Sequence, residues 1–271
     1  MTDIYKIRLW KIETASNSIY LLGSVHILSK SDYPLHPDIQ KAFDACQTVY
    51  FEVPIDSFDT PTIQQLMQHG GIYGDGKSIE DHISEETYQL FQAKLQNLNL
   101  PVDRFKKFKP WFAAITLTAT RLQTLGLKGE YGIDQHFYEK AKQDGKQIGA
   151  LETIPYQLHL FTDMDSKLQE LMLVETIKSL GTVESEFTQL LEAWKYGKVD
   201  VLEKIVNRHI NQMPELREVL LLKRNRNWAQ KIEGMTNSAQ NVMIIVGVGH
   251  LIGEGSVIEL LEQKGYEITQ L

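Results

Sequence analysis

Residues 242–250 of this chain read VMIIVGVGH, an apolar run that stops at glycine and then presents a histidine. Residues 19–26 read IYLLGSVH and have the same form more than two hundred positions earlier. Each pattern predicts a buried β-strand. Open α/β folds build their sites just beyond the carboxyl ends of strands, so we expect His26 and His250 to meet in one site.

The composition is that of an acidic globular protein. The 271 residues are 42% hydrophobic and carry a net charge of −7, which allows a large core and argues against a nucleic-acid partner. The single cysteine, Cys46, excludes an internal disulfide and a multi-cysteine zinc site. We find no apolar run of the ~20 residues that a membrane span needs and no signal peptide. We therefore expect a soluble, cytoplasmic protein, or an extracytoplasmic one if a leader has been removed.

Secondary-structure patterns predict strands that alternate with long helical blocks. The predicted strands are 8–13, 18–25, 48–53, 147–151, 242–246 and 266–271. Helical spacing covers 84–98, 111–125, 133–143 and nearly all of 166–233. The order predicts the α/β class, with a central mixed sheet that starts with an N-terminal β-hairpin and carries large helical insertions.

We expect a single domain over residues 1–271. Its α/β core is predicted to comprise about 5–54, 130–160 and 240–271. The helical insertions are predicted at about 60–128 and 165–235.

Two acidic residues occupy the same kind of position as the histidines. Glu52 follows the apolar residues 48–51, and Glu152 follows 148–151. Taken singly, a histidine or glutamate after a strand is more often a loop, edge or capping residue. Four such residues together suggest a shared site, because two imidazoles and one or two carboxylates form a standard ligand set for zinc, iron or manganese.

Two further polar segments have competing interpretations. Residues 223–228 read KRNRNW, and one of these arginines could reach an oxyanion or an acidic ligand. Otherwise the segment is a helix surface with Trp228 packing inward. Asp134 opens the helix at 133–143, and we interpret it as a cap of that helix.

The motifs in chain order resemble those of one protein family. They are LLGSVHIL (21–28), FEVP (51–54), GID (132–134), GALET (149–153), Arg224-Asn225 with Trp228 after it, and VGVGHLIG (246–253). This order resembles the TraB/PrgY/GumN family, which includes the Tiki metalloproteases and is distantly similar to erythromycin esterases and ChaN-like proteins. The resemblance extends from Leu9 to about Leu271.

The resemblance implies a metal-dependent hydrolase that acts on a peptide, another amide or an ester. His26 and His250 would bind a divalent metal (Zn, Mn or Co), with Glu52 as third ligand or general base. Glu152 and Arg224 would orient the substrate or stabilise the developing oxyanion. The expected substrate-binding positions are Asn225, Gly23 and Gly247.

Two other functions stay open. The same cleft could capture or sequester a peptide or small ligand without catalysis, since the family includes proteins thought to act on signalling peptides in that way. The ChaN resemblance adds haem capture by the histidines. A binding protein predicts no metal dependence and stoichiometric behaviour in place of turnover.

Overall fold

The computed structural model describes residues 7–57, 60–74 and 76–271. The strands are β1 (Leu9–Glu13), β2 (Ser18–Ser24), β3 (Thr48–Phe51), β4 (Gln147–Ala150), β5 (Val242–Gly247) and β6 (Ile268–Gln270). These bounds agree with the six segments predicted from the sequence.

The helices account for the long segments between the strands. They are α1 (Pro37–Asp44), α2 (Pro61–Gly71), α3 (Glu85–Asn97), α4 (Val102–Phe105), α5 (Pro110–Gln123), α6 (Ile133–Gln143), α7 (Ile154–Thr162), α8 (Ser166–Ser179), α9 (Val183–Lys195), α10 (Val199–Ile210), α11 (Pro214–Arg217), α12 (Lys223–Met235) and α13 (Val257–Gln263). Within the described ranges, no helix is long and apolar enough to cross a bilayer.

The described strands form one six-stranded mixed sheet in the order β4-β3-β5-β2-β1-β6. β1 and β2 are the antiparallel N-terminal hairpin, and β6 pairs antiparallel with β1. β2, β5, β3 and β4 are mutually parallel neighbours. The predicted fold class, a mixed α/β sheet with helical insertions, is confirmed.

The register of the parallel strands aligns their carboxyl ends. Gly23 pairs with Val246, while Phe51 pairs with Ile245 on one side and Ala150 on the other. All four strands therefore end within a few residues of one another at the same edge of the sheet. The segments that carry the predicted site residues leave the sheet at that edge, where open α/β folds place ligands.

β5 is the central strand of this arrangement. Residues 242–246 are all buried, and the strand is paired on both sides. A strand covered on both faces has no solvent-facing side, which is why its sequence is continuously apolar and not alternating.

The chain divides into two compact units. The first comprises the described residues up to Ile55, Leu127–Thr153 and Phe187–Leu271, and it contains the sheet. The second comprises the described residues of Asp56–Gly126 and Ile154–Glu186 and has its own apolar core, which includes the buried rings of two phenylalanines of α3 and α4. The single domain over residues 1–271, with the core and insertion bounds given above, stays a prediction.

The central position of β5 predicts a large stability difference between two identical substitutions. Ile244→Ala truncates a fully buried side chain and leaves a cavity, so it should lower the free energy of unfolding by about 2–5 kcal/mol. Ile148→Ala, in the edge strand β4 where Ile148 is 38% exposed, should cost less than about 1 kcal/mol. Urea unfolding of both variants measures the difference. Equal losses would contradict the central role of β5.

Candidate functional site

The guanidinium of Arg224 lies at the centre of a buried polar cluster in the first unit. Its Nε and Nη2 donate to the Glu152 carboxylate at 2.9–3.1 Å, and Nη2 also donates to Glu52 Oε2 at 2.6 Å. Nη1 donates to the Leu220 carbonyl and lies 3.1 Å from Nε2 of His250. Burial alone would lower the pKa of Arg224, but the two carboxylates raise it. Arg224 is therefore a permanent buried cation.

A local irregularity of the helix precedes Arg224. Helical spacing predicts one continuous helix over 213–232, whereas the structure has a π-helical turn, Glu218–Leu222, between α11 and α12. A π turn is wider than an α turn and rotates the residues that follow it, and such turns often mark functional sites. The carbonyl of Leu220, within this turn, accepts one of the Arg224 hydrogen bonds.

Glu152 acts as the counter-ion that holds Arg224 in place. Its Oε1 accepts a hydrogen bond from Trp228 Nε1 at 2.9 Å in addition to the bonds from Arg224. The Trp228 ring also lies against the guanidinium, 4.7 Å from Cζ to the ring centroid, in a cation–π contact. The contacts of Glu152 are those of a positioning residue, and contact with substrate stays a prediction for it.

Glu52 directs one carboxylate oxygen to the cation and the other to the strand edge. Oε2 accepts from Arg224, and Oε1 accepts from the backbone N–H of Gly247 at 2.8 Å. Burial opposes ionisation of Glu52, but the positive charges of Arg224 and His26 and the hydrogen bond from the Gly247 N–H lower its pKa to about 2. Glu52 is therefore ionised at any pH at which the protein is expected to work.

His250 is held in one tautomer. Asn225 Nδ2 donates to the Gly255 carbonyl at 2.8 Å, so its Oδ1 faces His250 Nδ1 at 2.6 Å and must accept the proton there. The lone pair of His250 then lies on Nε2. Burial lowers the pKa of His250 to about 3, so the ring is neutral at neutral pH.

His26 is oriented by an acid that sequence reasoning misassigned. Its Nδ1 donates to Asp134 Oδ2 at 2.8 Å, and Ser24 Oγ donates to Asp134 Oδ1 at 3.0 Å. The interpretation of Asp134 as a helix cap is wrong, because Gly132 occupies the N-cap of α6 and the carboxylate points at His26. The order of the motifs was the available signal, since the Gly-Ile-Asp segment belongs to the set that resembles the family.

The two histidines differ in access and charge. The His26 side chain is 61% exposed, whereas that of His250 is 6% exposed. Attraction by Asp134 raises the pKa of His26 to about 9. One imidazole thus faces solvent as a cation in the metal-free protein, and the other is buried and neutral.

The three predicted metal ligands converge. Glu52 Oε1 is 4.0 Å from His26 Nε2 and 4.0 Å from His250 Nε2. Both histidines have Nδ1 bonded to an oxygen, of Asp134 and Asn225 respectively, so both Nε2 atoms face Glu52. In this structure His250 Nε2 accepts a hydrogen bond from Arg224 Nη1 at 3.1 Å. Metal-binding histidines are usually oriented in this way by an acceptor on the other ring nitrogen.

Gly247 leaves room at the point of convergence. A Cβ at this position would lie 3.2 Å from His26 Nε2 and 3.3 Å from Glu52 Oε1. A side chain here would fill the space between the two donor atoms. The absence of a side chain at Gly247 keeps this space open, and its N–H binds Glu52.

The donor atoms of His26, His250 and Glu52 are of the types that bind a divalent cation, although they lie farther apart than the ligands of a bound metal ion. The cluster contains the guanidinium of Arg224, the carboxylates of Glu52 and Glu152 bound to it, and the carboxylate of Asp134 bound to His26, so with both imidazoles neutral it carries two formal negative charges. In the described part of the chain, no three His, Cys, Asp or Glu side chains stand at metal-binding spacing. Ligand atoms on tetrahedral zinc are about 3.4 Å apart, so 4.0 Å requires an inward movement of about half an ångström.

The remaining predicted positions make structural contacts. Gly23 is buried in β2, its N–H donates to the Arg8 carbonyl, and its carbonyl accepts from Trp194 Nε1 at 2.7 Å. A Cβ at Gly23 would approach the Val248 side chain to 2.9 Å, so close packing explains the glycine. Asn225 is 2% exposed and positions His250. Substrate contact by Gly23, Asn225 or Gly247 stays a prediction.

This α/β fold, with its two strand-end histidines and strand-end glutamate, belongs to a known class. The chain is a member of the TraB/PrgY/gumN family, whose model matches residues 8–270. The resemblance inferred from the motifs is confirmed. No solved structure matches the chain significantly.

Named relatives fall into two groups. YbaP of Escherichia coli (strain K12) is 27% identical over 242 residues, which cover 89% of this chain and 87% of YbaP. Metalloprotease TIKI2 of Danio rerio is 21% identical over 92% of this chain and 57% of its own length. Metalloprotease TIKI1 of Homo sapiens is 21% identical over 96% of this chain and 61% of its own length. The chain thus spans about three fifths of these two metalloproteases.

The contact between His26 and Asp134 predicts a specific titration. In metal-free protein, Asp134→Asn should move the His26 pKa from about 9 down toward 6.5, because the attraction of the carboxylate is lost. NMR titration of the His26 ring protons measures this. Asp38→Asn, beside the surface residue His36, is the matched control and should leave the His26 titration unchanged. An unchanged His26 pKa in Asp134→Asn would contradict the assigned pair.

Proposed function

We propose that this protein is a metal-dependent hydrolase that cleaves amide bonds in peptides, with esters as the neighbouring substrate class. The observation that carries the proposal is the approach of both imidazole Nε2 atoms, of His26 and His250, to the same oxygen of Glu52 at 4.0 Å. The oxygen acceptors on both Nδ1 atoms support it, because they direct Nε2 of each ring toward Glu52. A bound metal would replace Arg224 Nη1 as the partner of His250 Nε2.

His26, His250 and Glu52 would hold the ion. A bound divalent metal supplies a water of pKa near ~7 and polarises the scissile carbonyl. The low pKa of Glu52 favours the role of third ligand over that of general base, since a base works best with a pKa near the working pH.

The other polar residues of the cluster have roles that follow from their contacts. Asp134 and Asn225 keep the Nδ1 protons in place and so orient the rings. Arg224, fixed by Glu152, is a preorganised cation, and its N–H groups are engaged by protein acceptors, so it would stabilise negative charge on the substrate carbonyl oxygen through its charge. Hydrolysis adds the oxygen of water to the carbonyl carbon, breaks the carbon–nitrogen bond and releases a carboxylate and an amine.

The relatives support the choice of a metal and of a peptide. The matched proteins TIKI1 and TIKI2 are named metalloproteases. This chain is 21% identical to each of them, and the motifs by which it resembles the family contain His26, Glu52 and His250.

Metal content and turnover test the proposal together. Purified protein should contain stoichiometric zinc, manganese or cobalt by elemental analysis and should hydrolyse members of a peptide library. A chelator should remove both the metal and the activity, and the same ion should restore both. His26→Ala and His250→Ala should lose them, whereas His69→Ala, at an exposed histidine of α2, should keep them. Full turnover in metal-free protein would refute the proposal, and stoichiometric peptide capture without turnover would favour a sequestering protein.

Glu52→Gln separates the two roles open to this residue. As a ligand, Glu52 contributes charge, so its neutral isostere should lose bound metal and activity together. As a base alone, it would keep the metal and lose only kcat. Glu262→Gln, at an exposed glutamate of α13, is the control and should change neither quantity. Retained metal in Glu52→Gln would overturn its assignment as a ligand.

A further inference from the structure

The orientation of His26 depends on a bond to a residue that is distant in sequence. The His26 side chain is 61% exposed, so packing contributes little to fixing its ring. The ring is oriented by the 2.8 Å hydrogen bond from Nδ1 to Asp134, which lies 108 residues further along the chain. The two backbone segments must therefore be held together for this bond to form.

The backbone segments 25–28 and 128–133 lie side by side in the first unit, and we call their contact the His26 clasp. At one end of the clasp, the Ile133 N–H donates to the Val25 carbonyl at 3.1 Å. At the other end, the last residue of the first segment and the first residue of the second exchange two backbone hydrogen bonds of 2.9 and 3.3 Å. His26 lies between the bonded positions, so its backbone is held on both sides.

Gly132 is the point of closest approach within the clasp. Its φ of −59° and ψ of 149° are values that any residue can adopt, so the backbone conformation does not require glycine. A Cβ at this position would lie 2.1 Å from the His26 carbonyl oxygen and 2.6 Å from the carbonyl carbon. Both atoms belong to the backbone, so no change of rotamer could relieve the clash. Gly132 is therefore a glycine because His26 lies against it.

The position of Gly132 determines the position of Asp134. Helix α6 begins at Ile133, whose side chain is fully buried, so the start of the helix is fixed to the core. A displacement of Gly132 would pass directly to Asp134, two residues later. The Asp134 carboxylate also accepts a 3.0 Å hydrogen bond from Ser24, which restricts its freedom to follow His26. The bond between Asp134 and His26 thus depends on the close approach at Gly132.

We propose that Gly132 is a positioning residue of the candidate metal site, which sets the separation of Asp134 and His26 and thereby the affinity of the site for a divalent cation. The statement about the cation rests on the proposed function, whereas the statement about the Asp134–His26 bond does not. Loss of the group that orients a metal-binding histidine typically costs about 10–100-fold in metal affinity. Gly132 acts through Asp134, so we expect the same range for Gly132→Ala.

Gly132→Ala and Gly129→Ala form a matched pair. Both add one methyl group to the same loop, but a Cβ at Gly129 would meet nothing within 4 Å. In metal-free wild-type protein labelled with ¹⁵N-histidine, NMR should show a hydrogen-bonded His26 Nδ1 proton, assigned by its loss in Asp134→Asn. Gly132→Ala should lose this signal, and Gly129→Ala should keep it. An unchanged His26 signal in Gly132→Ala would overturn the proposal.

A second pair of variants tests the clasp if Gly132→Ala does not fold. Ile133→Pro removes the N–H that donates to the Val25 carbonyl, and proline is well tolerated at the first residue of a helix. Ile133→Val keeps this N–H and removes only one methylene group. The His26 Nδ1 signal should disappear in Ile133→Pro and persist in Ile133→Val. Identical spectra of the two variants would refute the clasp as the element that positions His26.

Zinc affinity, measured by competition with a chromophoric chelator, tests the link to the metal. Gly132→Ala should bind zinc about 10–100-fold more weakly than wild type, and Gly129→Ala should match wild type. Equal affinities of Gly132→Ala and wild type would refute the effect on the metal. Absence of zinc, manganese and cobalt binding in the wild type would instead refute the proposed function, and the NMR comparison would still decide whether Gly132 positions Asp134 and His26.

Discussion

The candidate site depends on one interaction, the buried guanidinium of Arg224 between the carboxylates of Glu52 and Glu152. Each of the three charges would be costly to bury alone, and removing one partner from such a cluster typically costs about 3–5 kcal/mol. The contact ties α12 to the ends of β3 and β4. Because α12 also carries Asn225 and Trp228, the position of His250 depends on the same contact.

The two histidines share a mode of orientation but not an environment. Each donates from Nδ1 to a side-chain oxygen, so each presents Nε2 toward Glu52. His250 is enclosed by Trp228 and Arg224, while His26 faces solvent. A reactant would therefore approach from the His26 side.

Most of the strands could be predicted from local sequence, because unbroken apolar runs bounded by turn residues indicate them. The parallel neighbours of β5 could not be read in this way, since pairing joins residues far apart in the chain. The convergence of His26, Glu52 and His250 required only the general rule about strand ends. The role of Asp134 was missed because an acid in the first turn of a helix is typically a local feature, and its partner lies 108 residues away.

The segments at 19–26 and 242–250 thus specify two buried strands and the glycines and histidines that follow them. Strand formation and the turn at a glycine depend on the hydrophobic pattern and backbone preferences of neighbouring residues, so a short stretch of sequence is enough to predict them. The tertiary structure decided which ring nitrogens of those histidines face Glu52 and which cation lies between the two glutamates, because the sheet order and the π turn before Arg224 bring these distant groups together. Hydrogen bonds and charges act over a few ångströms in space, whatever the separation in sequence, and only the tertiary structure determines which groups lie within that reach.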